Sequence, residues 1–244
     1  MGRPLVGKGT ADMSTSESPP GGRKLDNDAI NSTHERILQC ALELFARRGF
    51  HGTGIRDIAS CAGISTANLY HYGSKEKILL QVMTAALERL LAAAHTIQTQ
   101  CDDPLIRLDN LVRMHVITHA LSPEASSVVD DQVGALAGTE RDTIIALRDT
   151  YERYWADCVR AGIERGKVVV PDASAARLGI LEMCSGVARW FSPEGRFTAR
   201  AIADIHVDLV RAMLNAPPSD PGGSPPWLTD LIEEIWPIEL GSSS

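Results

Sequence analysis

Between Thr53 and Lys77 the chain reads TGIRDIASCAGISTANLYHYGSKEK, and this stretch leaves few folds open. Thr53 is placed to cap a short helix in which Ile55, Ile58 and Ala59 recur at helical spacing and make one face apolar. Cys61-Ala62-Gly63 then ends that helix, because Gly63 tolerates the left-handed conformation that a tight corner needs. Ser65 caps a second short helix, with Ile64 and Leu69 available to pack back on the first. Thr66, Ala67, Asn68, Tyr70 and His71 are left around its rim. Two short helices joined by a Gly-containing turn are the layout of a helix-turn-helix, whose second helix enters the DNA major groove. An ordinary helical corner would have no use for such a polar rim. Asn and Thr address base edges or phosphates, and Lys75, at the start of the next helix, is expected at a phosphate.

These residues belong to a longer pattern. It runs from Ala41-x-x-Leu44-Phe45 and Gly49-Phe50 through Thr53, Ile58-Ala59 and Ala62-Gly63-Ile64-Ser65. Leu69-Tyr70-His71-Tyr72 and Ser74-Lys75-Glu76 complete it. In this order the pattern resembles the DNA-binding domain of the TetR family of transcriptional repressors. Members usually place one more residue between the position of Tyr72 and the Gly-Ser-Lys turn, so the recognition helix is expected to be one residue short. The resemblance implies an all-α protein with an N-terminal three-helix reader and a larger helical domain that binds a small effector and dimerises. It also implies a homodimer on a palindromic double-stranded operator, no enzymatic activity, no cofactor and no metal. The DNA-facing set is then Thr53, Arg56, Ser65, Thr66, Asn68, Tyr70, His71, Tyr72 and Lys75.

A net charge of −7 looks wrong for a DNA binder until it is divided along the chain. Residues 32–82 carry +2 and residues 83–244 carry −9, while 1–31 balance. The acidity lies outside the candidate reader, and a locally basic surface suffices to meet phosphate. No run of eighteen apolar residues and no apolar leader occurs, so the expectation is a cytoplasmic protein without a membrane span. Cys40, Cys61, Cys101, Cys158 and Cys184 are scattered, and their odd number argues against a disulfide framework, leaving reduced thiols as the expectation.

In chain order, residues 1–31 are rich in Gly, Ser, Pro and Thr and read as a mobile arm whose Arg23 and Lys24 stand near the reader. Thr33 is placed to cap a helix to about Arg48, which completes a reader over 32–80. A long helix follows from Lys75 to about Gln100, and Asp102-Asp103-Pro104 marks a boundary within the larger domain, 81–215. There, helices are expected near 104–120, 124–136, 140–165, 173–191 and 198–214, and no alternating strand pattern appears. Residues 216–244 form a Pro/Gly/Ser linker and an amphipathic segment, Trp227–Trp236, that must dock on its own body or on a partner subunit.

Within the larger domain, His115 and His119 lie four apart, a spacing that lets two imidazoles share a metal. No HExxH frame and no third ligand accompany them, which favours a polar spot in a ligand pocket. No GxSxG, P-loop or GxGxxG occurs, so catalysis is unsupported. The rival from another class is a helix-turn-helix protein with a metal-dependent or enzymatic helical domain. Met114, Trp155 and Met183 are candidates for the pocket wall, with His115, His119, Arg189 and Trp190 at its polar end. The run Trp190-Phe191-Ser192-Pro193-Glu194-Gly195, preceded by Arg189, is similar to a turn in TetR relatives that sense acyl-CoA or lipid-derived acids. Leu178, Leu181, Ile202, Ile205, Leu209 and Met213 exceed what one buried stripe requires and make the expected dimer interface.

Overall fold

The computed structural model describes residues 22–219 and 223–235, with side chains over 32–219 and 223–234. Among them the chain is helical and contains no strand. Helix α1 (Gly22–Gly52) is interrupted at Gly49, whose φ of 71° swings the last turn aside. It enters from Gly22, so Thr33 is interior to it rather than at its start; of the expected arm, 22–31 continue this helix and 1–21 lie outside the described residues. Helices α2 (Ile55–Cys61) and α3 (Thr66–Tyr70) follow, separated by Gly63 at φ 66°. Ile37, Ala41 and Phe45 of α1 bury against Ile58, Ala59 and Leu69, so the three helices share one small core. The expectation of reduced thiols needs correction here. Cys40 of α1 and Cys61 at the end of α2 form a disulfide, because the packing of the two helices brings their Cα atoms to 5.8 Å.

Ser74 starts α4 (Lys75–Gln100), its hydroxyl accepting from the Lys77 N–H at 3.2 Å. By length and composition α4 could cross a bilayer, but Ile78, Leu79, Met83, Leu87, Leu90 and Ile97 are buried inside the protein. Asp103 caps α5 (Pro104–Leu121) through the amides of Leu105 and Ile106. The helix expected over 124–136 divides into α6 (Pro123–Asp131) and a single 3-10 turn at Val133–Ala135. After α7 (Gly138–Glu164), the helix expected over 173–191 divides at Gly186 into α8 (Ala173–Ser185) and the one-turn α9 (Val187–Trp190). Thr198 caps α10 (Ala199–Met213), and α11 (Pro226–Ile235) ends the described chain.

Helix α5 is the axle of the larger domain, packed against α4, α7, α8 and α10 and buried on nearly every side. Its buried charges are answered in kind. Arg211 of α10 makes two 2.7 Å bonds to the Asp109 carboxylate and donates to the Pro217 carbonyl, while the Ser219 hydroxyl donates to the same carboxylate. That cluster carries the chain past α10 toward α11, which docks on α4 and α5 through Leu228, Leu231 and Ile232. Of the two docking partners expected for the tail, its own body is the one found.

Candidate functional site

The first candidate surface is the rim of α3. Its five residues are capped by Ser65, whose hydroxyl accepts from the Asn68 N–H at 3.1 Å, and only Leu69 is buried. Ala67, Asn68, Tyr70 and His71 are exposed, Tyr70 at 61%, with Ser65 and the neighbouring Arg56 also open. A large aromatic ring left in water at the tip of a helix has no packing reason to be there. Thr66 is half-buried beside them.

Three of the expected DNA-facing residues are placed otherwise. Thr53 is buried and donates its hydroxyl to the carbonyls of Gly49 and Leu44, at 2.9 and 3.1 Å, fastening the broken end of α1; Gly54, not Thr53, caps α2. The Lys75 ammonium donates to the carbonyls of Phe50 and Thr53, both at 2.9 Å, and lies 4.0 Å over the Phe50 ring. The orphan carbonyls at the end of α1 form the negative pole of that helix, and they hold the cation. Tyr72 stacks on His34 of α1, ring centroids 5.8 Å apart, and so braces the reader. Gly73 follows at φ 136°, packed against the Lys77 side chain.

The second candidate is a cavity of about 250 Å³ between α4, α5, α6, α7 and α8. Leu87, Leu90, Val129, Leu178 and Leu181 give it an apolar wall. His115, His119, Thr118, Tyr151 and Ser185 give it a polar one, and Arg148, Arg189, Asp130, Asp131, Glu152 and Glu182 supply its charges. His115 bonds Tyr151 Oη through Nδ1 at 2.9 Å and Ser185 Oγ through Nε2 at 3.0 Å. His119 stacks on it at 3.8 Å and donates from Nδ1 to the His115 carbonyl. Burial, reinforced by the neighbouring His119 and His206, holds His115 well below the ordinary histidine range, and burial lowers His119 to about 4. Both rings are therefore neutral near pH 7, and they offer hydrogen bonds rather than positive charge. With both nitrogens of His115 engaged, the pair does not converge on one metal; among the described residues no group of three His, Cys, Asp or Glu side chains gathers in a ligating arrangement.

Of the expected ligand-binding residues, the structure brings His115, His119 and Arg189 to the cavity. Met114 and Trp155 are core residues behind it, fully buried because α5, which carries Met114, is enclosed by its neighbours and α7 packs Trp155 against it. Met183 lies off the lining, and Trp190 is 56% exposed, stacked on His206. The expected dimer set is also redistributed. Ile202 is buried in its own subunit, whereas Leu178 and Leu181 line the cavity, with Leu178 half in solvent as well. Ile205, Leu209 and Met213 stand exposed as a ridge of four-residue spacing along α10. Ser185, Thr118 and the acidic rim went unpredicted, and Tyr151, four residues before Trp155, adds its hydroxyl to them.

One bond joins the two candidates. The side-chain oxygen of Gln132, at the end of the cavity-wall helix α6, accepts from the Phe50 N–H at 3.0 Å. Phe50 thus has its N–H held by the larger domain and its carbonyl held by Lys75 of α4.

Comparison with known proteins follows the same division. Residues 37–82 match the model for bacterial regulatory proteins of the tetR family, and residues 101–214 match the tetracyclin repressor-like C-terminal domain. The HTH-type transcriptional repressor KstR2 of Mycobacterium tuberculosis is 30% identical over 186 residues, which cover 74% of this chain and 92% of that protein. A solved structure of the ketosteroid transcriptional regulator KstR2 of the same organism superposes with a TM-score of 0.68 at 26% identity, covering 78% of this chain and 97% of the other. AibR, solved in complex with isovaleryl coenzyme A and operator DNA, shares the fold at 23% identity and a TM-score of 0.68, covering 76% of this chain and all of that one.

Proposed function

Since this chain belongs to the TetR family of transcriptional regulators, we propose that it is a cytoplasmic repressor that holds a palindromic operator as a homodimer and lets go when a small, mostly apolar effector fills the cavity. The observation that carries this reading is the bond from Gln132 to Phe50. An effector pressing on Val129 and Ser126 of α6 works on the helix whose end holds the reader. Displacing α6 loosens Phe50 and changes the tilt of α1 to α3. Two readers must present their α3 helices about one DNA turn apart, so a small tilt in each subunit mismatches both half-sites.

Arg56, Ser65, Thr66, Asn68, Tyr70 and His71 form the DNA face in this reading. Ser65 and Arg56 suit phosphate, and Asn68 suits a base edge, an adenine being its best bidentate partner. The ridge of Ile205, Leu209 and Met213, extended by the exposed Trp190, is the surface offered to the second subunit. Burying it twice over by a two-fold axis also sets the symmetry that a palindrome demands.

For the effector, the apolar wall suits an elongated hydrocarbon or ring system. The neutral His119, Tyr151 and Ser185 suit a carbonyl or hydroxyl on it. Arg148 sits 3.9 Å from Asp130, and Glu152 is engaged by Arg177; Arg189, exposed at the cavity, is the cation for a carboxylate or thioester phosphate. A lipid-derived acid or its coenzyme A thioester fits this division, and a similar repressor bears the name ketosteroid regulator. A ligand that prefers the free protein a hundredfold opposes DNA binding by about 2.7 kcal/mol, enough for release. The test is protection mapping of DNA upstream of the protein's own gene, followed by titration of fatty and steroid-like acids and their thioesters. A palindromic footprint erased by one of them is expected. Erasure only by a cationic or uncharged hydrophobe overturns the acid assignment.

A further inference from the structure

Of the five cysteines, three sit apart as free, buried thiols, and burial pushes Cys158 and Cys184 up to about 12, which removes them from thiolate chemistry near neutral pH. The remaining two differ. Cys61 is exposed at the last position of α2, Cys40 lies 7% exposed on α1, and the two are joined. The bond closes a sequence separation of 21 residues within the reader and ends next to Ala62-Gly63, the turn that aims α3. The same spot already has a non-covalent tie. Arg36 Nε donates to the Ala62 carbonyl at 2.9 Å, and Ile37, Ala41 and Phe45 pack on Ile58 and Ala59. The helix pair is therefore held by contacts besides the covalent link.

We propose that Cys40 and Cys61 are a reversible thiol-oxidation site in the DNA reader, charged by low-molecular-weight disulfides and discharged by dithiol reductants, and that the oxidised reader grips DNA more tightly.

The unequal exposure sets the order of events. The Cys61 thiolate attacks one sulfur of the small disulfide, forms a mixed disulfide and expels a thiolate, which takes up the proton Cys61 lost. The Cys40 thiolate then attacks Cys61 Sγ, closes the protein disulfide and expels the second small thiol. The protein loses two electrons and two protons, and the small disulfide gains both as two thiols. A dithiol runs the sequence backward. Closing the loop removes freedom chiefly from the opened reader, so the folded arrangement of α1 to α3 is favoured and less ordering is left for DNA to impose.

The experiment incubates the full chain with oxidised glutathione or with dithiothreitol, traps free thiols and counts them after denaturation. Expected are five thiols in the reduced chain and three in the oxidised one, with a peptide cross-link between Cys40 and Cys61. The oxidised protein should melt several degrees higher and bind its operator duplex two- to tenfold more tightly. Cys61→Ser and Cys40→Ser should each abolish both responses while folding normally. Five thiols under both conditions, or a cross-link elsewhere, overturns the site. A Cys40–Cys61 cross-link with unchanged melting and DNA affinity overturns its effect on the reader. The affinity readout rests on the DNA-reading assignment; thiol counting and melting do not, so failure of the one is distinguishable from failure of the other.

Discussion

Helices α3 and α5 draw on similar side chains and use them in opposite ways. Helix α3 buries one residue of its five, and Thr66, Asn68 and the adjoining His71 look outward or sit half-open. Helix α5 buries Asp109, Asn110, Arg113, His115, Thr118 and His119 along with its aliphatics. In the reader, polar groups remain solvated and free for a partner. In the larger domain they are stripped of water, so each must find a partner inside or lose its charge. Asp109 finds Arg211, Arg113 finds Asp204 at 2.7 Å, and the two histidines lose their charge. The same residue type stays open to a partner at one end of the molecule and holds the fold together at the other.

The largest effect expected from breaking that comparison is at Asp109. Asp109→Ala strands the Arg211 guanidinium in the core and should cost about 3–5 kcal/mol, read by denaturant unfolding. A loss below about 1 kcal/mol would show that α5 tolerates open charge as α3 does.

Acid should come next. His119 is lowered to about 4 when folded against an ordinary 6.5, and His115 shifts in the same direction. Between these values the unfolded chain binds more protons, so stability is fully present above about pH 6.5 and declines as pH falls toward 4. For His119 alone the loss amounts to about 3 kcal/mol, and His119→Gln should flatten that part of the stability–pH profile.

Lys75 sharpens the comparison within the reader itself. Lys75→Ala should destabilise the protein by about 1–3 kcal/mol, because two carbonyls lose a charged donor, and should leave the salt dependence of DNA binding unchanged. Arg56→Ala should do the reverse: stability within about 0.5 kcal/mol of the parent, and a slope of log affinity against log salt shallower by about one unit. Equal salt slopes for the Arg56 variant and the parent would take Arg56 off the DNA face.

A modest effect on stability is expected at Gln132. Gln132→Ala removes one hydrogen bond, worth about 1 kcal/mol, yet should raise the effector concentration needed for operator release. Release at the parental concentration would mean that α6 does not transmit through Phe50.

The reader was legible because its constraints are local. Ser65 and Ser74 cap the helices that follow them, Gly63 takes a positive φ, and Leu69 faces the core, each required by its immediate neighbours in sequence. Lys75 shows the limit of that method. A lysine at a helix start serves a phosphate and a carbonyl pair equally well, and only the packing of α4 beneath the end of α1 decides between them. The disulfide escaped for a related reason: an odd cysteine count describes the chain, whereas the pairing depends on which two sulfurs the fold brings together.

By itself the sequence determined the helical class, the order and rough limits of the elements, the helix-turn-helix and the exposed rim of α3. Turn residues, caps and periodicity act over a few residues, and they are written in the order in which they act. Only the tertiary structure decided that Ile202 faces inward while Ile205, Leu209 and Met213 face out, that Met114 and Trp155 sit behind the cavity, and that Tyr151 and Ser185 line it beside His115. Periodicity says which face of a helix is apolar but not what lies across from it. When other helices surround α5, the face that would have met water meets another helix instead, and its charges become part of the core.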